Sequence, residues 1–330
     1  MSSDRFLASC KGHELRKVRR LLALGANINC RDRYGESGLH IAVIRKYGKL
    51  LNLLLRQPGV DVNITDDFNQ TPLMVACSAG HKKFVRRLCQ VKEIDPNIKD
   101  HIFRTALFRA VSSNKPQCVE ALKTVPNVDW NLPDNLGNYP LTMAVEKGYG
   151  YVLEILLSVT HLDLSVTDWR GRNVAWIAVD EEEGGDKQKM LEILCKDRRV
   201  DMRLEDKRNG DTPVMFCLKT KKIEMACCLI NTPELNLDMV DSDGKYLEMI
   251  AADHDQKDVF NLLGTFTGSR LRMIQTQQPS TMFRLQSLSR DVVLTNLITN
   301  NSQERKVESL VDRMGLPELL REVLLTVSCR

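Results

Sequence analysis

The chain has 330 residues, 43% hydrophobic and 27% charged, which puts it in the globular class with apolar material for a packed core. That length suits two or three ordinary domains or one long repeat array. Its 47 basic and 43 acidic side chains leave a net charge of +4, a balance that points to no nucleic-acid partner.

No apolar run approaches the roughly 18 residues of a membrane span, and "MSSDRFLASCKGHELRKV" lacks a signal-peptide core, so no membrane partner is expected. The ten cysteines are scattered, many at apolar helical positions such as Cys89, Cys118, Cys195 and Cys227. There the thiol serves as a small hydrophobe in a reducing compartment, and a cytoplasmic (nuclear possible) protein is expected.

Along the chain, an irregular copy around "SDRFLAS" precedes a pattern that recurs every 34 residues. "SGLHIA" starts at Ser37, "TPLMVA" at Thr71, "TALFRA" at Thr105, "YPLTMA" at Tyr139 and "NVAWIA" at Asn173; "TPVMFC" follows at Thr212 and "YLEMIA" at Tyr246. Thr71-Pro72 and Thr212-Pro213 suit helix starts, because the hydroxyl caps and proline needs no amide partner. Ala42, Ala76, Ala110, Ala144 and Ala178 recur where two helices must approach closely. Leu50, Leu51 and Leu54 stand on one helical face, as do Phe84, Val85 and Leu88, Val152, Leu153 and Leu156, and Met225, Ala226 and Leu229. Between copies, Asp32, Asp66, Asp100, Asp134, Asp168 and Asp241 recur. Gly35, Asn69, Gly137, Gly171, Gly210 and Gly244 mark tight turns, and Phe103 at the same place implies a different turn or local strain.

The recurring motif resembles the ankyrin repeat, with its T-P-L-H-x-A signature, over residues 4–264 in about eight copies, the first and last atypical. The resemblance implies an all-α ankyrin-repeat solenoid of helix-turn-helix copies with turn or hairpin links, stable through neighbour stacking. It also implies binding through turn tips and the concave face. The aromatic and arginine tips Tyr34, Phe68, Trp169 and Arg170 are the expected lining of a protein-substrate surface. The other reading of Phe68 and Trp169 is packing against the adjacent tip. His40 and His81 match positions where such repeats carry histidine for hydrogen bonds between loops and helices. Residues 180–187, "DEEEGGDK", add length between two helices, as a solvated loop or a partner-specific protrusion. The basic runs 16–20 and 82–87 read as solvated helix faces able to meet phosphate.

Chemistry leaves no trace in the sequence: no phosphate loop and no nucleophile elbow occur. Cys10 and His13 form an isolated C-x-x-H without a second pair, so no metal site is expected. The chain reads as non-catalytic, with no cofactor.

The period stops after Gly264, and 265–283 reads as a linker rich in Thr, Ser and Gln. Three short helical stretches follow in 284–330, too few to form a core of their own. Leu285, Leu288, Ser289, Arg290 and Val293 match the L-x-x-L-C-R-x-x-I pattern of a SOCS box, with Ser289 for the cysteine. Met314-Gly315-Leu316-Pro317 stands where that box carries its cullin-selecting L-P-φ-P, Met-Gly replacing Leu-Pro. The whole is similar to the ankyrin-repeat and SOCS-box family of substrate receptors. The resemblance implies that the first five residues bind elongin C, partnered by elongin B, and that 314–317 meet a cullin with its RING protein. The alternative is an ankyrin scaffold whose last helices cap the solenoid and recruit no ligase.

Overall fold

The computed structural model describes residues 2–180, 186–206, 210–232, 235, 237, 239–256, 258–260 and 262–263. The chain divides after Leu204 into two units. The described residues are all-helical, consistent with an ankyrin-repeat solenoid, and their β-structure is limited to isolated bridges Arg31–Ser37 and Val240–Tyr246.

In the first unit, α1 (Ser2–Lys11) and α2 (Leu15–Ala23) form the opening pair, followed by α3 (Gly38–Ile44) with α4 (Gly48–Leu55) and α5 (Pro72–Ser78) with α6 (Lys82–Leu88). Then come α7 (Ala106–Ser112) with α8 (Pro116–Leu122), α9 (Pro140–Glu146) with α10 (Gly150–Leu157), and α11 (Val174–Val179) with α12 (Lys187–Leu194). The odd-numbered helices stack in succession from α1 to α11, and α6, α8, α10 and α12 stack outside them. In the second unit α13 (Pro213–Lys219) packs against α14 (Ile223–Ile230) and α15 (Leu247–Asp253).

Each helix is too short to stand alone, so stability comes from burial between neighbours. The recurring alanines at 42, 76, 110, 144 and 178 are fully buried, the absence of bulk letting adjacent helices meet. Leu50, Leu51, Leu54, Leu73, Leu88, Leu107, Leu122 and Leu141 fill the core, each contributing about 1.5–3 kcal/mol. Met225, expected on the buried face of α14, is half-exposed beside buried Ala226 and Leu229.

Helix starts follow the expected capping at Thr71, whose hydroxyl accepts the Met74 amide (3.3 Å), and at Thr105 and Asn173, which accept from Phe108 (3.2 Å) and Trp176 (3.1 Å). Thr212 departs from it: its buried hydroxyl makes no hydrogen bond among the described residues, and Pro213 stands at the start of α13. Helix ends repeat as well. The Tyr47, His81, Lys115 and Tyr149 amides donate to the Ala42, Ala76, Ala110 and Ala144 carbonyls at 2.8–2.9 Å. The preceding residue is left-handed in each case, as Lys46, Gly80, Asn114 or Gly148. This is the Schellman closure, and it turns the chain from inner to outer helix.

A second ladder runs through asparagines 34 residues apart. Asn29, Asn63, Asn97 and Asn131 donate to the Gly59, Glu93, Asn127 and His161 carbonyls. Each also accepts the amide of the next copy, from Asp61, Asp95, Asp129 or Asp163 (2.9 Å each). One side chain thus ties a backbone donor and a backbone acceptor of the following repeat.

Candidate recognition surface

The recurring aspartates build the turns. Asp66 Oδ1 accepts the amides of Phe68 (2.9 Å) and Gln70 (2.8 Å), and Asp32, Asp100, Asp134, Asp168 and Asp241 repeat that pair of contacts. A carboxylate that takes two backbone donors fixes the turn, the first donor being the tip residue itself at Tyr34, Phe68, Ile102, Leu136 and Arg170. Burial pushes the Asp32 carboxyl up, but Lys11 and the Tyr34 and Glu36 amides outweigh it, holding the group below the usual range.

Neighbouring tips are also tied. The Asp67, His101 and Asn135 amides donate to the Tyr34, Phe68 and Ile102 carbonyls at 3.2, 3.3 and 3.0 Å. The tips from Tyr34 to Asn135 therefore advance in step with the stacked helices.

The tip side chains are apolar and exposed. Phe68, Leu136 and Trp169 are 64%, 66% and 66% exposed, and Tyr34, Ile102 and Phe103 are exposed beside them. The exposure of Phe68 and Trp169 favours the recognition reading over packing against the next tip; the tips at 67 and 101 are joined by His101 Nε2 on the Asp67 carbonyl (2.7 Å) as well as by backbone bonds. The Arg33 and Arg170 guanidinium groups lie 4.7 Å over the Tyr34 and Trp169 rings. Such stacking favours the arrangement by about 0.5–1 kcal/mol at exposed sites.

Tyr34, Phe68, Trp169 and Arg170 are thus all outward-facing at turn tips. Ile102 and Leu136 were readable by the same rule, since they stand 34 residues from Phe68 and Ile102, but they are not aromatic. Leu285, Leu288, Ser289, Arg290, Val293, Met314, Gly315, Leu316 and Pro317 lie outside the described residues, as does the bulk of the acidic insertion, 181–185. At its edges, Asp180 pairs with Arg172 and Asp186 accepts the Lys189 amide at the start of α12 (3.3 Å).

Behind the tips several charges of the first unit pair with one another. Arg109 bonds Gln70 Oε1 (2.7 Å) and faces Asp100 (3.6 Å), which also takes Arg104 (3.1 Å), and Arg172 pairs with buried Asp168 (2.7 Å). In the second unit Lys219 bridges Asp211 (2.6 Å) and Asp241 (3.1 Å). Burial lowers the Lys219 ammonium, but its two carboxylate partners raise it on balance.

His40 performs the role expected of it. Ser37 N–H donates to Nδ1 (3.2 Å) and Nε2 meets the Gln70 carbonyl of the next copy (2.9 Å). His81 does not: neither of its buried nitrogens has a hydrogen-bond partner among the described residues, and its ring meets Phe84 edge-on at 5.9 Å.

The cysteines at 10, 30, 77, 89, 118, 195, 217, 227 and 228 are free thiols. Burial pushes Cys10 and Cys89 up to about 12 and Cys118 to about 11, far from the thiolate a nucleophile needs. Cys89, Cys195 and Cys227 are only half-buried. Among the described residues no group of three potential ligands can hold a metal, and no helix is long and apolar enough to cross a membrane.

Comparison with known families gives the geometry its setting. Ankyrin repeats are found. The three-copy model of that family matches residues 6–100 and, overlapping them, 39–134. No curated protein matches the chain. The aspartate turn continues past the matched ankyrin repeats, at Asp168 and Asp241. Ankyrin repeats imply a protein–protein interaction scaffold, and they are typically non-catalytic.

Proposed function

We propose that this chain is the substrate-recognition subunit of an elongin- and cullin-based RING ubiquitin ligase. Its ankyrin array (4–264) holds a protein substrate through Tyr34, Phe68, Trp169 and Arg170, and 284–330 recruits the ligase across the linker 265–283. The observation that carries the binding half is the exposure of the apolar tips. Burial of aromatic and arginine side chains at the centre of an interface supplies most of its energy. The ligase half rests on sequence resemblance alone. Leu285, Leu288, Ser289, Arg290 and Val293 form the elongin C contact, elongin B entering with it. Met314, Gly315, Leu316 and Pro317 meet a cullin, which brings the RING protein.

In this reading the chain does no chemistry. It raises the effective concentration of a substrate lysine near a charged ubiquitin-conjugating enzyme. Co-expression with elongin B and elongin C tests it: a stoichiometric complex is expected, and Leu285→Ala should weaken it by about 2–4 kcal/mol if Leu285 is the buried anchor. A chain that purifies alone and ignores both elongins would leave the ankyrin scaffold without ligase recruitment.

A further inference from the structure

Three consecutive outer helices carry a charge pattern the fold does not need. Arg16, Lys49 and Lys83 occupy the second position of α2, α4 and α6, and Arg19 and Arg86 the fifth position of α2 and α6. Arg20 follows on α2, and Arg45 and Lys46 lead into α4. All eight are exposed, and none forms an ion pair among the described residues. The nearby acid, Glu14, is taken by Lys17 (2.8 Å). On α8 and α10 the same two positions hold Gln117, Glu120, Tyr151 and Glu154.

Two local rules are broken at once. None of α2, α4 and α6 has an acid in its first turn, and bases stand there instead, at the positive end of the helix dipole. Like charges also face each other at three- and four-residue spacing, Arg16 with Arg19 and Arg20, Lys83 with Arg86 and Arg87. Arg20, Arg86 and Arg87 stand in last turns, where the dipole favours a base, and Arg87 also donates to the Gly48 carbonyl (3.3 Å). Arg16, Lys49 and Lys83 have no such return, and none of them forms an ion pair among the described residues. Where local preference is overridden without a structural return, an external ligand is the expected cause.

The ligand is anionic, and the arrangement selects its form. One row of bases, Arg16, Lys49 and Lys83, crosses the three helices, flanked by Arg19 and Arg86 with Asn52 between them in sequence order, and no exposed aromatic stands among them on which nucleobases could stack. Leu24, one turn beyond Arg20, is 73% exposed. We propose that the outer faces of α2, α4 and α6 dock on an anionic bilayer surface, the bases meeting headgroups and Leu24 entering the acyl boundary. Surface association needs no spanning helix, so it is a different claim from the membrane span that the sequence lacks.

Flotation of the full-length chain with phosphatidylcholine vesicles, with and without phosphatidylserine, tests this. Binding is expected only with phosphatidylserine, falling as salt rises. R16E/K49E/K83E should weaken it by about a hundredfold or more, since each base near such a surface contributes roughly fivefold. Leu24→Ser should remove the fraction that survives salt. Equal binding to both vesicle types would overturn the proposal, as would a triple variant that melts like the parent and binds as well. Preference for a DNA or RNA duplex over the charged vesicles would overturn it too.

Discussion

The His40 imidazole joins two repeats, taking the Ser37 amide at Nδ1 and meeting the Gln70 carbonyl with Nε2. Ser37 donates to Nδ1, so the ring is the neutral tautomer with hydrogen on Nε2. Burial, outweighing the Gln70 carbonyl and nearby acids, holds the His40 pKa below its ordinary value, and burial does the same at His81. A lowered histidine means the unfolded chain binds more protons in this range. The contribution is therefore full above about pH 6.5, the unfolded value, and is lost as pH falls from there through the folded pKa. The melting temperature should drop on acidification from pH 7.5 to 5. His40→Gln, which keeps a donor for Gln70, should flatten that drop; a slope unchanged by the substitution would place the titration elsewhere.

Phe103 settles a question that the sequence leaves open. Its φ is +63°, and its turn keeps the ordinary hydrogen bonds, Phe103 N–H to the Asp100 carbonyl (2.9 Å) and the Ile102 and Arg104 amides to the carboxylate. The turn is thus the one the other copies make, with a bulky residue strained in the left-handed region. Asn69 has the same conformation one repeat earlier, and its side chain donates to the Lys99 carbonyl (2.8 Å). Phe103→Asn should accordingly stabilise the protein by about 1 kcal/mol in denaturant melts. A loss of stability would mean that the Lys99 ammonium over the Phe103 ring matters more than the strain.

At the scale of helices and turns, the helix pairs were legible because the apolar period, the proline starts and the buried alanines all repeat in register. The asparagine ladder was present in the same text, at 29, 63, 97 and 131, but its meaning was not. An asparagine becomes a tie only when the next repeat brings a carbonyl and an amide to it, and that requires the stack. The Gln70–Arg109–Asp100 cluster was hidden for the same reason.

Glu248 was visible as a break in the motif and passed unremarked. It stands in the slot of α15 that Leu39, Leu73, Leu107 and Leu141 fill in other copies, and it is buried. Neither carboxyl oxygen has a hydrogen-bond partner among the described residues. Burying such a group without a partner costs about 1–3 kcal/mol. Glu248→Leu restores the apolar residue of the neighbouring copies, and should stabilise the second unit by a similar amount. Hydrogen exchange at the α13–α15 amides would report it as slower local opening. Unchanged or faster exchange would show that the carboxyl is satisfied or useful where it stands.

For the whole molecule, the proposed function makes its two ends independent. A repeat array couples each copy to its neighbours, so exposed tips can change without disturbing the core. Tyr34, Phe68, Trp169 and Arg170 contribute little to the core, since all four are exposed at tips held by backbone bonds and aspartate. Alanine at all four should therefore leave the melting curve within about 1 kcal/mol of the parent's, as surface changes do. The same variant should lose the captured substrate, because hot-spot truncations cost 2 kcal/mol or more each, about thirtyfold in affinity. It should still bind elongin B and elongin C. Leu285→Ala should show the reverse, keeping substrate and losing the elongins. Crossing the two variants with both assays separates the claims: a tip variant that still captures substrate removes the recognition surface from the argument. A Leu285→Ala chain that keeps the elongins removes the ligase anchor, and neither result touches the other.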